Sequence, residues 1–278
     1  MTSLTENFKK TKPIKVSQVT GTPSSKILAG LDQLLLILPA RVPAALWRKV
    51  PQGSRVQALK KRSATGCIPA VASRLNNKKH TALFVGTTNT NLEAFELLTF
   101  ARKMVAATAG EKAGTLGIWV LGFDEADQAR LSRHLTAAAL AAAYRMPAYK
   151  TRGAPPRIRS VKILGAPDRI DVIREVAEAE GNNVARFLTA LPANKLDASA
   201  YTNLLKQVAE DEGWQYKRYG VAELKKMGAG AFLAVAQGNA DDSAAIVRLR
   251  YRPESKTAAP ELSLVGKGII FDTGGTNL

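Results

Sequence analysis

The stretch TLGIWVLGFDEADQARLSRHLTAAALAAAY, residues 115–144, combines one β-strand with one long helix. Leu116, Ile118 and Val120 alternate along its first part and predict a strand over Thr115–Gly122. Asp124 is a favoured helix cap, and the alanine-rich sequence that follows predicts a helix to about Tyr144. A strand followed directly by a helix is the repeating unit of α/β proteins.

The same alternation continues on both sides of this stretch. Residues 1–26 have little periodicity and predict a loose arm or a weak first strand. Strands are predicted at Gln33–Pro39, Thr65–Ala72, Thr81–Gly86 and Arg157–Leu164, and helices at Ala44–Val50 and at Asn91–Ala109, with Asn91 as the cap. We therefore expect residues 1–160 to form an α/β domain with helices on both faces of a sheet.

The remaining residues predict a second part of the chain. A helix is expected after Asp168-Arg169-Ile170 to about Leu191, interrupted at Gly181–Asn183. We interpret 161–185 as a linker helix that leads into a domain at 186–278. Further helices are predicted at Ala198–Glu212 and Val221–Met227, and strands at Trp214–Tyr219, Phe232–Gln237, Ala244–Tyr251 and Glu261–Ile270.

Positive charge is concentrated in the first part. Of the net charge of +17, residues 1–160 contribute all, with 25 Lys and Arg against 8 Asp and Glu, whereas residues 161–278 carry 15 of each. Two interpretations stay open: a solvated, self-repelling surface, or a surface for an anionic partner such as DNA. The second needs its cations on one face, and the candidates are Lys9, Lys10, Lys12, Lys15, Lys60, Lys61, Arg62, Arg74, Lys78, Lys79, Arg152, Arg157 and Arg159.

Several other classes of protein are disfavoured. The apolar run Leu34–Ala40 is too short to cross a bilayer, and the N-terminus has no secretory pattern. Cys67 is the only cysteine, so no disulfide forms within the chain, and its apolar surroundings predict a buried thiol. His80 and His134 have no zinc-finger spacing, and no phosphate-binding glycine loop is present.

The sequence VGKGIIFDTGG, residues 265–275, places Lys267 and Asp272 around a glycine-rich turn. On a regular strand this spacing puts the two side chains on opposite faces, so they converge only if the strand ends between them. The spacing by itself favours an ion pair beside a turn. A carboxylate at the end of a strand is also a natural ligand for a divalent metal.

This motif is similar to the signature that opens the metal site of the leucyl (cytosol) aminopeptidase family. Three upstream blocks resemble the same family in the same order: Ala185–Leu188 with Leu191–Leu196, then Leu224–Gly238, then Val247–Tyr251. Asn239, the pair Asp197-Ala198 and Ala190 depart from common family residues. The resemblance is specific over about residues 184–278, whereas residues 1–160 share only the layout of the family's macrodomain-like N-terminal domain.

The resemblance implies a peptidase that removes N-terminal residues from peptides with two divalent metal ions, manganese or zinc. It implies that Lys267 binds one metal and that Asp272 contacts both. The family's catalytic lysine is expected just beyond Leu278, with the remaining ligands farther on, so we expect this truncated chain to be inactive alone. A non-catalytic subunit of a family-like oligomer stays an alternative. A cytoplasmic location, a hexamer and, for the basic domain, DNA binding are also expected from the family.

Overall fold

The computed structural model describes residues 8, 13–64, 67–112, 114–147, 158–238, 242–253, 261–268 and 270. The described residues form two compact units. The N-terminal unit spans Thr11–Arg186, and the C-terminal unit contains the residues from Phe187 onward together with the start of the chain, where Phe8 is described.

A six-stranded sheet is the centre of the N-terminal unit, with the strand order β1-β6-β5-β2-β4-β3. All neighbours are parallel except the edge strand β3, which runs antiparallel to β4. The strands are β1 (Lys15–Thr20), β2 (Gln33–Pro39), β3 (Val71–Arg74), β4 (Ala82–Thr88), β5 (Thr115–Val120) and β6 (Ser160–Ala166). The helices are α1 (Ser25–Gly30), α2 (Ala44–Trp47), α3 (Gly53–Arg62), α4 (Ala94–Ala106) and α5 (Glu125–Ala143), and α6 (Ile173–Thr189) reaches the end of the unit.

Helices cover both faces of this sheet, and β2 shows why. Leu35 and Ile37 of β2 pack in one apolar cluster with side chains of α4 and α5. Leu34, Leu36 and Leu38 pack in a second cluster on the opposite face. A parallel strand buried on both faces is continuously apolar in sequence, as this one is. The α/β prediction is confirmed.

Three sequence predictions fail in the N-terminal unit. Among the described residues of the strand predicted at Thr65–Ala72, only Val71 and Ala72 lie in a strand, the short edge strand β3, and Cys67 is exposed rather than buried. Helix α4 is capped by Glu93 and not by Asn91, because Glu93 and Glu96 form a reciprocal capping box. Helix α3 was not predicted, since its polar sequence has a weak apolar face.

The C-terminal unit has helices α7 (Ala198–Asp211), α8 (Val221–Lys226) and α9 (Gly230–Ala236) beside a two-stranded antiparallel sheet of β7 (Gln215–Gly220) and β8 (Ala245–Arg250). Asp197 caps α7, accepting a 2.7 Å hydrogen bond from the Ala200 amide. Buried side chains that anchor the unit include Phe187, Leu196, Leu204 and Leu224.

Three predictions fail near or within this unit. Helix α6 runs without a break through Gly181–Asn183. The strand predicted at Phe232–Gln237 lies in helix α9, because a short apolar run does not by itself distinguish a strand from a helix. Residues 261–268 form no strand, and among the described residues β8 pairs only with β7.

Candidate functional site

Lys267 lies in an extended, exposed segment of the C-terminal unit. The described residues from Glu261 to Gly268 have no regular secondary structure, and Val265 is fully exposed. Lys267 itself is exposed as well. The second predicted ligand, Asp272, lies outside the described residues, so the described part of the chain does not test whether the two side chains meet.

The described residues alone do not make a metal site. Among them, no group of three His, Cys, Asp or Glu side chains lies close enough together to hold a metal ion. Lys267 supplies a single donor, and one donor does not fix a metal. The metal-binding role of Lys267 and Asp272 therefore stays a prediction from the sequence.

Tyr201 lies beside the predicted ligand segment. A methyl group added to Gly268, the residue after Lys267, would lie 3.0 Å from Cε1 of the Tyr201 ring. The first turn of α7 thus contacts the backbone next to Lys267. Sequence reasoning missed this neighbour, because nothing in the pattern around Tyr201 distinguishes it from an ordinary helix residue.

The three upstream blocks that carry the family resemblance lie in helices and a strand that belong mainly to the C-terminal unit. The first ends α6, where the Phe187 ring meets the Phe8 ring edge-on with centroids 6.0 Å apart. The second spans α8 and α9, and Leu224 in it is buried. The third forms β8. The blocks are therefore largely the structural elements of the C-terminal unit.

The basic residues of the N-terminal unit fall into separate groups. Lys9, Lys10, Lys12, Arg152 and Arg157 lie outside the described residues. Arg74 pairs with Glu111 at 2.9 Å and Lys79 with Asp32 at 3.0 Å, so both are already neutralised by carboxylates. Lys60 donates to the Ala40 carbonyl at 3.2 Å.

A second group, the basic α2–α3 surface, was not recognised as such from the sequence. It contains exposed cations on and around two neighbouring helices: Arg41, Arg48, Lys49, Arg55, Lys61 and Arg62. The chain has no acidic residue between Asp32 and Glu93, which is the signal that could have found it. Part of this charge has a structural explanation, because Lys60, Lys61 and Arg62 occupy the last turn of α3, where cations stabilise the helix dipole.

The two histidines have structural surroundings. His134 Nδ1 lies 2.8 Å from the Arg130 carbonyl on α5. His80 has a positive φ of 50° and closes a turn by donating its amide to the Asn77 carbonyl. His80 is exposed and His134 is half-buried.

Comparison with known proteins gives the family. Residues 183–278 match the cytosol aminopeptidase family, catalytic domain. The C-terminal unit lies almost entirely within this match. A probable cytosol aminopeptidase of Prochlorococcus marinus extends the likeness, being 32% identical over 237 residues that cover 82% of this chain and 47% of the relative.

Solved structures share the fold at low sequence identity. A mutant of tomato leucine aminopeptidase superposes with a TM-score of 0.68 at 13% identity, covering 88% of this chain and 52% of its own. The bottromycin maturation enzyme BotP, solved in complex with Mn, gives a TM-score of 0.57 at 20% identity, covering 80% of this chain and 46% of its own. The chain thus spans about half the length of these proteins.

Proposed function

We propose that this chain is part of a metal-dependent leucyl-type aminopeptidase that removes the N-terminal residue of peptides. The family match over residues 183–278 carries the proposal, because it includes the VGKGIIFDTGG segment with both predicted ligands. The coarser conclusion, an α/β protein related to cytosol aminopeptidases, rests on the comparisons above.

Within this function, Lys267 is proposed as a ligand of one divalent metal and Asp272 as a ligand shared by two. When bound, such metals activate water and polarise the peptide carbonyl. A lysine beside a dication loses its proton, because the nearby positive charge disfavours the ammonium form, and its amine is then free to coordinate. Manganese or zinc would suit the site, and the Mn complex of BotP supports a divalent metal.

The polypeptide of residues 1–278 is proposed to be inactive alone, since it carries only two of the residues that the family resemblance implies as ligands. The test is hydrolysis of leucine p-nitroanilide by this polypeptide with added Mn²⁺ or Zn²⁺. Metal-dependent turnover by the polypeptide alone would contradict the proposal.

A chimera tests the positive half of the proposal. Residues 1–278 joined to the remaining C-terminal part of the Prochlorococcus relative should hydrolyse the same substrate in a metal-dependent way. Lys267→Ala should lower the rate by at least about a hundredfold, the upper end of the loss seen when a group that only supports a ligand is removed. The control is Lys225→Ala, an exposed lysine on α8, which should keep the activity. A folded chimera without activity in either metal would argue against the proposal.

A second candidate function, binding of nucleic acid, is supported by the basic α2–α3 surface. Its six exposed cations lie in a segment that contains no carboxylate, so a phosphate backbone would meet no repulsion from within the segment. The only tryptophan of α2, Trp47, is buried, which favours duplex phosphates over stacked single strands.

Duplex binding at two salt concentrations tests this candidate. Association should weaken as salt rises, with a log–log slope of about −0.9 for each phosphate contact. A variant in which Arg48, Lys49 and Arg55 become Gln should reduce the slope, whereas Arg74→Gln, already paired with Glu111, should leave it unchanged. Binding that ignores salt would eliminate the candidate.

Location and assembly follow the family in this proposal. The relatives are named cytosol aminopeptidases, which supports a cytoplasmic location. No helix among the described residues is long and apolar enough to span a bilayer. A homo-hexamer is the assembly that the resemblance suggests, and light scattering of the chimera would measure it.

A further inference from the structure

An open cavity of about 400 Å³ lies in the N-terminal unit. Its walls come from the residue after β2 (Ala40), the end of β4 (Thr87, Thr88 and Asn89) and one side of α4. Ile68, in the loop before β3, closes another side.

The position of the cavity follows from the topology of the sheet. After β2 the chain continues into α2 and α3, on the face of Leu34 and Leu36. After the adjacent parallel strand β4 it continues into α4, on the opposite face with Leu35 and Ile37. Where neighbouring strands send their connections to opposite faces, a crevice opens at their carboxyl ends, and open α/β sheets bind ligands there.

One face of α4 lines this crevice with both apolar and charged groups. Phe95, Glu96, Thr99, Phe100 and Lys103 recur at helical spacing and all line the cavity. Phe100 is buried and forms part of the floor, whereas Phe95 is 79% exposed. An exposed aromatic ring at the mouth of a cavity is apolar surface that a ligand can cover.

Two opposite charges stand at separate ends of this face. Glu96 and Lys103 are seven residues apart, which places them about 10 Å apart along the helix axis. One carboxylate oxygen of Glu96 accepts the Glu93 amide at 3.1 Å, and the other remains available. Among the described residues, the Lys103 ammonium has no ion-pair partner.

The rim of the cavity is held in place by the rest of the unit. The Arg130 guanidinium on α5 donates to the Thr90 carbonyl at 2.8 Å and to the Leu92 carbonyl. The Ala40 amide donates to the Thr88 carbonyl at 2.9 Å, which ties the ends of β2 and β4 together. The site is thus formed before any ligand arrives.

We propose that this cavity binds a short zwitterionic peptide with apolar side chains. The ligand's ammonium group pairs with Glu96 and its carboxylate with Lys103. An extended tripeptide spans about 10 Å, which matches the axial spacing of Glu96 and Lys103 on α4. Its side chains cover Phe95 and Ile68, and the Asn89 amide and the Thr99 hydroxyl offer hydrogen bonds to its peptide groups. The proposal is independent of the metal site.

An NMR titration of the full chain with trileucine tests the proposal. EDTA in the buffer prevents metal-dependent cleavage, so the result does not depend on the proposed peptidase activity. Saturable shifts should appear at residues of α4. N-acetyl-trileucine and trileucine amide, which each lose one charge, should bind about threefold more weakly, as expected for a solvent-exposed ion pair. No saturable shift up to about 10 mM would overturn the proposal.

Matched variants locate each end of the ligand. Glu96→Gln keeps the capping acceptor, and it should weaken trileucine binding but leave binding of the N-acetyl form unchanged. Lys103→Met should weaken binding of trileucine but leave binding of trileucine amide unchanged. Phe95→Ala should weaken binding of every form by about tenfold through lost apolar contact. The control is Arg102→Met, an exposed neighbour on α4 outside the cavity; an equal effect from this variant would refute specific recognition.

Discussion

The two units differ in how completely they bury their strands. In the N-terminal unit, every residue of β2 except Pro39 is buried. In the C-terminal unit, no residue of β7 or β8 is buried. Large apolar side chains of the C-terminal unit are exposed as well, among them Val235, Leu264 and Val265.

The family match, however, falls on the less buried unit. Residues 183–278 match the family's catalytic domain, and they include the small sheet and the exposed segment of Lys267. The N-terminal unit has the more completely buried strands and lies almost entirely outside the family match, although the likeness to the Prochlorococcus relative extends into it. The family match therefore lies in the unit with the proposed metal ligands, whereas the strands are most completely buried in the unit with the six-stranded sheet.

The largest expected contrast is between a buried and an exposed leucine. Leu36→Ala in β2 should lower the free energy of unfolding of the N-terminal unit by about 2–5 kcal/mol, because it leaves a cavity between sheet and helices. Leu264→Ala, at an 87% exposed position, should change stability by no more than about 0.5 kcal/mol. Urea unfolding measures both, the first by fluorescence in a Trp214→Phe background, where Trp47 and Trp119 report on the N-terminal unit. Equal losses of stability in the two variants would contradict the difference in burial between the units.

Two glycines with positive φ give the next contrast. A methyl group on Gly165, at φ 79°, would lie 2.3 Å from Trp119 Nε1, whereas one on Gly213, at φ 69°, would meet no atom within 4 Å. Both Gly→Ala variants carry left-handed backbone strain of roughly 1–2 kcal/mol. Only Gly165→Ala adds a steric clash, so we expect it to cost about 2–4 kcal/mol in all. Thermal unfolding of the two variants checks the order, and a larger loss for Gly213→Ala would reverse the comparison.

The carboxylate of Asp32 stabilises the six-stranded sheet of the N-terminal unit. Its carboxylate accepts the Thr115 amide at 2.8 Å and the Lys79 ammonium at 3.0 Å, joining the starts of β2 and β5 to the turn before β4. Burial alone raises the pKa of Asp32, but these hydrogen bonds and the charges of Lys79 and Arg159 outweigh it and hold the pKa below its usual value.

We expect Asp32→Asn to reduce the stability of the N-terminal unit at pH 7 by about 1–2 kcal/mol, since charge-assisted hydrogen bonds are lost. Because the folded pKa is lowered, the contribution of Asp32 is complete above the unfolded pKa of about 3.9 and disappears as pH falls through the folded pKa. Urea midpoints measured from pH 7 to pH 2 should therefore converge for the two proteins in acid. Asp197→Asn, at the exposed cap of α7, is the control and should have almost no effect, because Asn caps equally well. A constant difference at every pH would contradict the role given to the carboxylate.

The sequence predicted the buried parallel strands well because their apolar runs and short flanking turns are local signals. Gln33–Pro39 agrees with β2 in both bounds, and the helix capped by Asp124 agrees with α5. Helix α9 could not be separated from a strand, because its short apolar run satisfies both patterns. Helix α3 was missed because it is polar on most of its surface and has little apolar periodicity.

The candidate sites were predictable only in part. The motif located Lys267 and Asp272, but the contact between Tyr201 and Gly268 depends on two elements distant in sequence meeting in space. The cavity beside α4 likewise depends on which face of the sheet each connection covers. The face that each connection covers depends on the topology of the whole sheet, so it cannot be inferred from a single segment of sequence.

The smallest expected effect concerns Cys67, where the sequence predicted a buried thiol and the structure exposes it. Cys67 itself lies outside the core, although its neighbour Ile68 packs against the core cluster. Cys67→Ser should therefore change the free energy of unfolding by no more than about 0.5 kcal/mol. A disulfide reagent should label the native protein at one thiol, at a rate close to that of a free cysteine and independent of urea below the unfolding transition. Labelling that instead rises with the fraction of unfolded protein would show that Cys67 is buried in the native protein.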